Sequence, residues 1–84
     1  MAYDFGIASS GPLGGEQLHR MGLYYSIGHG AAIDLIEAHK FFNLAALRGH
    51  APSKLYRREL ADQMTSAQIA KAQRAAREWL QRAA

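Results

Sequence analysis

The tripeptide Gly28-His29-Gly30, flanked on both sides by helix-period apolar residues, most constrains what this chain can fold into. Two glycines so close let the backbone reach positive φ at little cost, so a helix can stop there and the chain can reverse. Before the turn, Leu18, Met21, Gly22 and Tyr25 fall at i, i+3, i+4 and i+7, one face of a helix. After it, Asp34 and Glu37 stand at capping-box spacing: Asp34 accepts from the free amides of a new helix and Glu37 reaches back. Leu35, Ala38, Phe41, Phe42 and Ala45 then form the main apolar face of a second helix running to about Arg48. Gly49 occupies the C′ place, and Arg48 suits the negative helix end. Gly22, Ala38 and Ala45 let helix axes approach closely, while Tyr25, Phe41 and Phe42 fill the space between them.

The same stretch resembles a Sel1-like repeat, a relative of the tetratricopeptide repeat. That pattern is roughly Leu-Gly-x-x-Tyr-x-x-Gly-x-Gly-Val-x-x-Asp, then Ala-x-x-Trp-Phe-x-x-Ala-Ala-x-x-Gly. The matching residues are Met21 (for Leu), Gly22, Tyr25, Gly28, Gly30, Ala31 (for Val), Asp34, Ala38, Phe41 (for Trp), Phe42, Ala45, Ala46 and Gly49. The departures exchange apolar for apolar, the spacing has no gap, and the match covers roughly residues 17–51. The resemblance implies an αα-hairpin and a role in protein–protein assembly or regulation. It implies no catalytic residue, because the shared positions are structural.

Eighty-four residues make one small domain. Such a chain buries only about 60% of its unfolded surface, so its stability is marginal. No apolar run approaches the roughly 18 residues of a membrane span. The opening MAYDFGIASSG has an acid where a basic n-region belongs and no long apolar core, so no signal peptide is read and a cytoplasmic location is expected. Zero cysteines exclude disulfide staples and thiolate metal sites.

Residues 1–15 read as a flexible Gly/Ser/Pro-rich tail preceding a helical domain over 16–84. The alternation of Tyr3, Phe5 and Ile7 is the one hint that this arm docks. Pro52 suits the first turn of a third helix, expected over about 52–64, with Tyr56, Leu60 and Met64 along one side. It departs from the repeat: Arg57 and Arg58 stand where Leu-Gly belongs, and no Gly-x-Gly turn follows. Thr65 with Gln68 gives a second capping-box spacing for a fourth helix over about 66–82. Ile69, Ala72, Ala76, Trp79, Leu80 and Ala83 form its apolar face, with Lys71, Arg74, Glu78, Gln81 and Arg82 opposite. Such a helix reads as the terminal cap that solenoids need. The ending MTSAQIAKAQRAAREW also resembles the closing segment of many bacterial Sel1-like proteins, which implies a bacterial source. The expected architecture is therefore all-α: helices at about 16–27, 35–48, 52–64 and 66–82, forming a Sel1/TPR-like right-handed solenoid fragment with a C-terminal capping helix.

Stacked repeats usually need about three units for stability, and here one full repeat meets a capping pair. Ile36, Leu44 and Leu47 form a second apolar strip on the central helix, and Leu23 and Tyr24 fall off the main stripe of the first. Surplus apolar surface marks an interface. A homodimer through Leu23, Ile36, Leu44 and Leu47 is one expectation, and a repeat array missing its preceding units is the other.

No chemical constellation emerges. His19, His29, His39 and His50 are spaced ten or eleven apart, without a His-x-x-x-His pair, and read as surface or turn residues rather than metal ligands. No nucleophile elbow accompanies the Ser, His and Asp residues. Asp34 and Glu37 read as a helix cap rather than paired catalytic carboxylates, and Gly28-His29-Gly30 lacks the Lys-Ser/Thr and strand of a phosphate loop. No catalytic residue, cofactor or metal is assigned. Charge is asymmetric: residues 48–84 carry eight Lys/Arg against three Asp/Glu, residues 1–47 two against four. Glu78 lies four residues from both Arg74 and Arg82, which pairs part of that charge. The expected function is a non-enzymatic adaptor or regulator that binds another protein in the groove between the first and third helices. Tyr24, His29, Lys40, Asn43, Arg57 and Arg58 are its candidate contacts. The rival is a basic helical protein that binds nucleic acid or an acidic surface through residues 48–82. Its aromatic residues do not interleave with the basic ones, as single-strand binding wants.

Overall fold

A computed structural model of the chain describes residues 13–28 and 32–83, and every regular element among them is an α-helix. These are α1 (Gly15–Ile27), α2 (Leu35–Leu47), α3 (Pro52–Ala61) and α4 (Ser66–Ala83). The described residues are all-α. No described helix is long and apolar enough to cross a membrane.

The helix ends follow the local chemistry. α1 stops at Gly28, whose φ of 66° places it in the left-handed region that a side chain would resist. Asp34 caps α2 by accepting from the Glu37 amide at 3.0 Å. The other half of the expected box does not form. The Asp34 amide donates to the Tyr25 carbonyl at 3.0 Å, stitching the end of α1 to the start of α2, and Glu37 turns instead to Lys40 Nζ at 2.6 Å. Pro52 opens α3, which ends at Ala61 rather than running on to Met64. The Gln63 and Met64 amides close back onto the Leu60 and Ala61 carbonyls at 2.9 and 3.1 Å, a tightening that leaves Thr65 outside the helix. Thr65 is thereby free to cap α4: its hydroxyl accepts from the Gln68 amide at 3.1 Å, and Gln68 Oε1 accepts from the Thr65 amide at 2.9 Å.

α2 is the hub, packing against α1, α3 and α4. It buries two adjoining faces. On one, Ala38 and Phe42 meet Leu60 of α3, with Leu23, Tyr25, Leu35 and Met64 around them. On the other, Phe41, Leu44 and Ala45 meet Leu18 of α1 and Ala76 of α4, with Met21, Trp79 and Leu80 alongside. Leu44 therefore corrects the sequence reading. It is only 1% exposed, because α4 lies over the strip that was expected to be free. Leu23 and Ile36 are half-covered, and of the expected dimer strip only Leu47, at 62% exposure, stands in solvent. The four do not make one open patch.

What the sequence suggests for the N-terminal arm concerns mostly residues 1–12, including Tyr3, Phe5 and Ile7, which lie outside the described residues. Gly15, expected in the tail, opens α1 instead. A Cβ there would stand 2.9 Å from the Cβ of His50, so only glycine lets the helix start this close to the α2–α3 corner. Arg48 Nη1 donates to the Leu13 carbonyl at 2.9 Å, and its guanidinium lies 5.8 Å from the Trp79 ring centre.

The tightest helix contact is Gly22 of α1 on Phe42 of α2. A Cβ at Gly22 would sit 2.7 Å from two carbons of the Phe42 ring. That ring is fully buried, with the His19 and Tyr56 rings centred 5.1 and 5.2 Å away, so it has no room to retreat. Alanine is a better helix former than glycine by about 0.8–1 kcal/mol, but overpacking a core costs about 1–3 kcal/mol. The expected result for Gly22→Ala is a net loss of about 1 kcal/mol. Urea denaturation measures it, and a variant as stable as the parent would refute the close contact.

Candidate functional site

α3 and α4 both lean on α2 and leave an open cleft of about 400 Å³ between them. Helical spacing explains which residues reach it. His39 and Asn43 are i and i+4 on α2, Arg57, Arg58 and Ala61 share a side of α3, and Ile69 and Gln73 are i and i+4 on α4. Ala61 and Ile69 supply aliphatic surface; the other lining residues are polar.

The cleft is cationic, and no carboxylate lines it. Arg57 Nη1 donates to Asn43 Oδ1 at 2.8 Å, which fixes the guanidinium across α2 and α3. Among the described residues the ion pairs are Glu16–Arg20 and Glu37–Lys40, so neither Arg57 nor Arg58 has an acidic partner. His39 is 3% exposed, and its Nδ1 has no hydrogen-bond partner. Burial, and then the nearby Arg57 charge, hold its imidazole below the ordinary histidine range, so it is a neutral base at pH 7.

A second polar cluster joins α1 to α3. The Ser53 hydroxyl lies 2.8 Å from His19 Nδ1 and 2.9 Å from His50 Nδ1. The two imidazole rings are centred 4.5 Å apart, and the Tyr56 ring lies edge-on to His19 at 4.7 Å. One hydroxyl donates one hydrogen, so one imidazole accepts it and the other donates its own N–H to the oxygen. Burial first, then His50, lower the pKa of His19. A serine beside two histidines has the composition of a nucleophilic dyad. Ser53 is 0% exposed, however, so no substrate reaches its oxygen and the cluster serves as a bridge. Among the described residues no three His, Asp or Glu converge as metal ligands.

Of the candidate contacts read from the sequence, Asn43, Arg57 and Arg58 come together in the α2–α3–α4 cleft. Lys40 does not join them. It pairs with Glu37, covers the Phe41 ring at 4.4 Å and borders a separate recess of about 300 Å³ with Asp34, Ile36 and Lys71. Tyr24 lies edge-on to Tyr25 at 5.2 Å, away from the cleft. His29 lies outside the described residues. Between α1 and α3, His19 lies 2.8 Å from the Ser53 hydroxyl and 4.7 Å, ring centre to ring centre, from Tyr56. Glu78 pairs with neither Arg74 nor Arg82. Exposed pairs of this kind are worth well under about 1 kcal/mol and do not hold two long side chains together.

Sequence reasoning missed His39 and Gln73, and it placed His19, His39 and His50 on the surface. The signal for His39 was present: it follows Ala38 and precedes Asn43 by four residues on a helix that is apolar on several sides. No sequence signal joins His19 to Ser53, thirty-four positions apart. The chain matches no family model, no curated protein and no solved structure at a significant level.

Proposed function

We propose that the protein is a small non-enzymatic adaptor or regulator that binds another protein, built as a Sel1-like αα-hairpin with α3 and α4 as its cap. The observation that carries this reading is the close contact of Gly22 with Phe42. It is a glycine-on-aromatic contact between the two helices of the hairpin, at two of the positions through which the sequence resembles the repeat. The left-handed Gly28 and the Asp34 cap support it at the turn. A non-enzymatic role is in keeping with Ser53, the serine beside two histidines, being fully buried. The partner surface in this reading is the α2–α3–α4 cleft, where Asn43, Arg57 and Arg58 come together.

The test is chemical crosslinking in cells that express the chain, then reconstitution with the purified crosslinked partner. The adaptor reading expects a saturable complex that persists from about 0.15 to 0.5 M salt, where surface charge is screened. Recovery of nucleic acid alone, with affinity falling steeply over that range, would refute it. One observation favours that rival: Lys71, Arg74, Arg77 and Arg82 of α4 carry no acidic partner among the described residues.

A further inference from the structure

We infer that the cleft between α2, α3 and α4 is a binding site for a phosphate monoester, held by Arg57, Arg58, Asn43 and Gln73 over the buried His39. The inference stands on the cleft alone and holds whether or not the chain is an adaptor.

Charge is the first argument. Two guanidiniums face one open space of about 400 Å³ with no carboxylate among its lining residues, and neither is ion-paired among the described residues. A single carboxylate neutralises one of them. A phosphate monoester carries about 1.5–2 negative charges at neutral pH and answers both. Geometry is the second. The donors come from three helices: the Asn43 amide from α2, the two arginines from α3 and the Gln73 amide from α4. Donors converging from three sides suit a tetrahedral group with three terminal oxygens better than a planar carboxylate with two. Arg57 is already oriented by its 2.8 Å bond to Asn43 Oδ1, so part of the ordering cost is met before a ligand arrives. The third argument is His39, nine-tenths buried and with an unpartnered ring nitrogen, at the edge of the same space. The charged groups facing it are Arg57 and Arg58 of α3; Asn43 of α2 and Ile69 and Gln73 of α4 do not titrate. With the cleft empty, its surroundings favour the neutral ring. A bound dianion reverses that balance and draws a proton onto it.

No Phe, Tyr or Trp lines the cleft and the His39 ring is buried, so it offers no exposed platform for a nucleobase to stack on. Ala61 and Ile69 flank it instead, which suits a short aliphatic stem carrying the phosphate. Such a group comes from a small phosphorylated metabolite or from a phosphorylated side chain, and the experiment separates the two.

Inorganic phosphate is titrated into the full chain in chloride buffer and followed by proton–nitrogen NMR. Saturable shifts are expected at the Arg57 and Arg58 side-chain Nε–H groups and the His39 ring, with the His39 pKa rising on binding. Arg57→Gln with Arg58→Gln is expected to weaken binding by at least about 10-fold while the helical circular dichroism stays unchanged. Lys71→Gln with Arg74→Gln removes the same charge outside the cleft and is expected to leave binding intact. Equal losses in the two double variants would show diffuse attraction to a basic surface and overturn the proposal. So would shifts spread along residues 48–82 without saturation, or a His39 pKa that phosphate does not move. Glucose 6-phosphate and a phosphoserine tetrapeptide then compete against inorganic phosphate. The tighter competitor identifies the source, and failure of both to compete overturns the proposal.

Discussion

Phe42→Ala is expected to cost about 3–5 kcal/mol, the range for truncating a fully buried aromatic ring. Phe42 is the side chain on which three helices converge. It lies under Gly22 and His19 of α1, beside Tyr56 of α3, and in one cluster with Ala38 and Leu60. Its neighbours cannot collapse into the gap. Gly22 has no side chain to move in, and His19 is tied to Ser53. A domain of this size has total stability on the order of 5–10 kcal/mol, so the variant sits near the edge of unfolding. A domain of 60–100 residues loses about 4–8 °C in Tm per kcal/mol, so the melt is expected to move down by on the order of 20 °C. Calorimetry measures it. A shift of only a few degrees would mean that Phe42 is not the point where α1 and α3 join α2.

The second large effect falls on the Ser53 bridge. Ser53→Ala leaves two imidazole nitrogens without the oxygen they share, and a buried unmet hydrogen bond costs about 1–3 kcal/mol. An unchanged melting temperature would show that solvent replaces the hydroxyl at no cost. The intact bridge also makes the fold acid-sensitive. His19, through burial and then His50, and His39, through burial and then Arg57, have folded pKa values below the ordinary value of about 6.5. The unfolded chain therefore binds more protons than the folded one between the depressed values and about 6.5. Stability from this source is complete above about pH 6.5 and is lost as the pH falls through the folded values, each unit of depression being worth about 1.4 kcal/mol. Urea midpoints between about pH 7.5 and 5 are expected to fall. His39→Gln is expected to flatten part of that slope, and a midpoint that does not move with pH would exclude both histidines as its source.

The sequence made the helices legible because their signals are local. Gly28, Asp34, Pro52 and the Thr65–Gln68 pair each set an end through atoms within four residues of it. The face of a helix is less local. Leu44 read as surplus because its burial depends on Ala76 of α4, far downstream, lying on α2 rather than α3. The site was half legible for the same reason. Arg57 and Arg58 announced themselves by standing where the repeat wants Leu-Gly, and Asn43 by being polar on an apolar helix. His39 and Gln73 acquire meaning only once α3 and α4 part across α2. The His19–Ser53–His50 bridge left no trace in the sequence, since one hydroxyl shared by two rings has no periodicity.

The division of the core between the two faces of α2 has a consequence for how the chain is made. The cluster of Ala38, Phe42 and Leu60 is built from α1, α2 and α3, and all its members have been synthesised by Met64. The cluster of Leu18, Phe41, Leu44 and Ala45 has to wait for Ala76, Trp79 and Leu80. A chain synthesised only as far as Met64 therefore holds every member of the first cluster and leaves Phe41, Leu44 and Ala45 without their α4 partners. In such a chain Arg48 lacks the Trp79 ring, and the apolar side of α2 that α4 covers is the surface a chaperone would find.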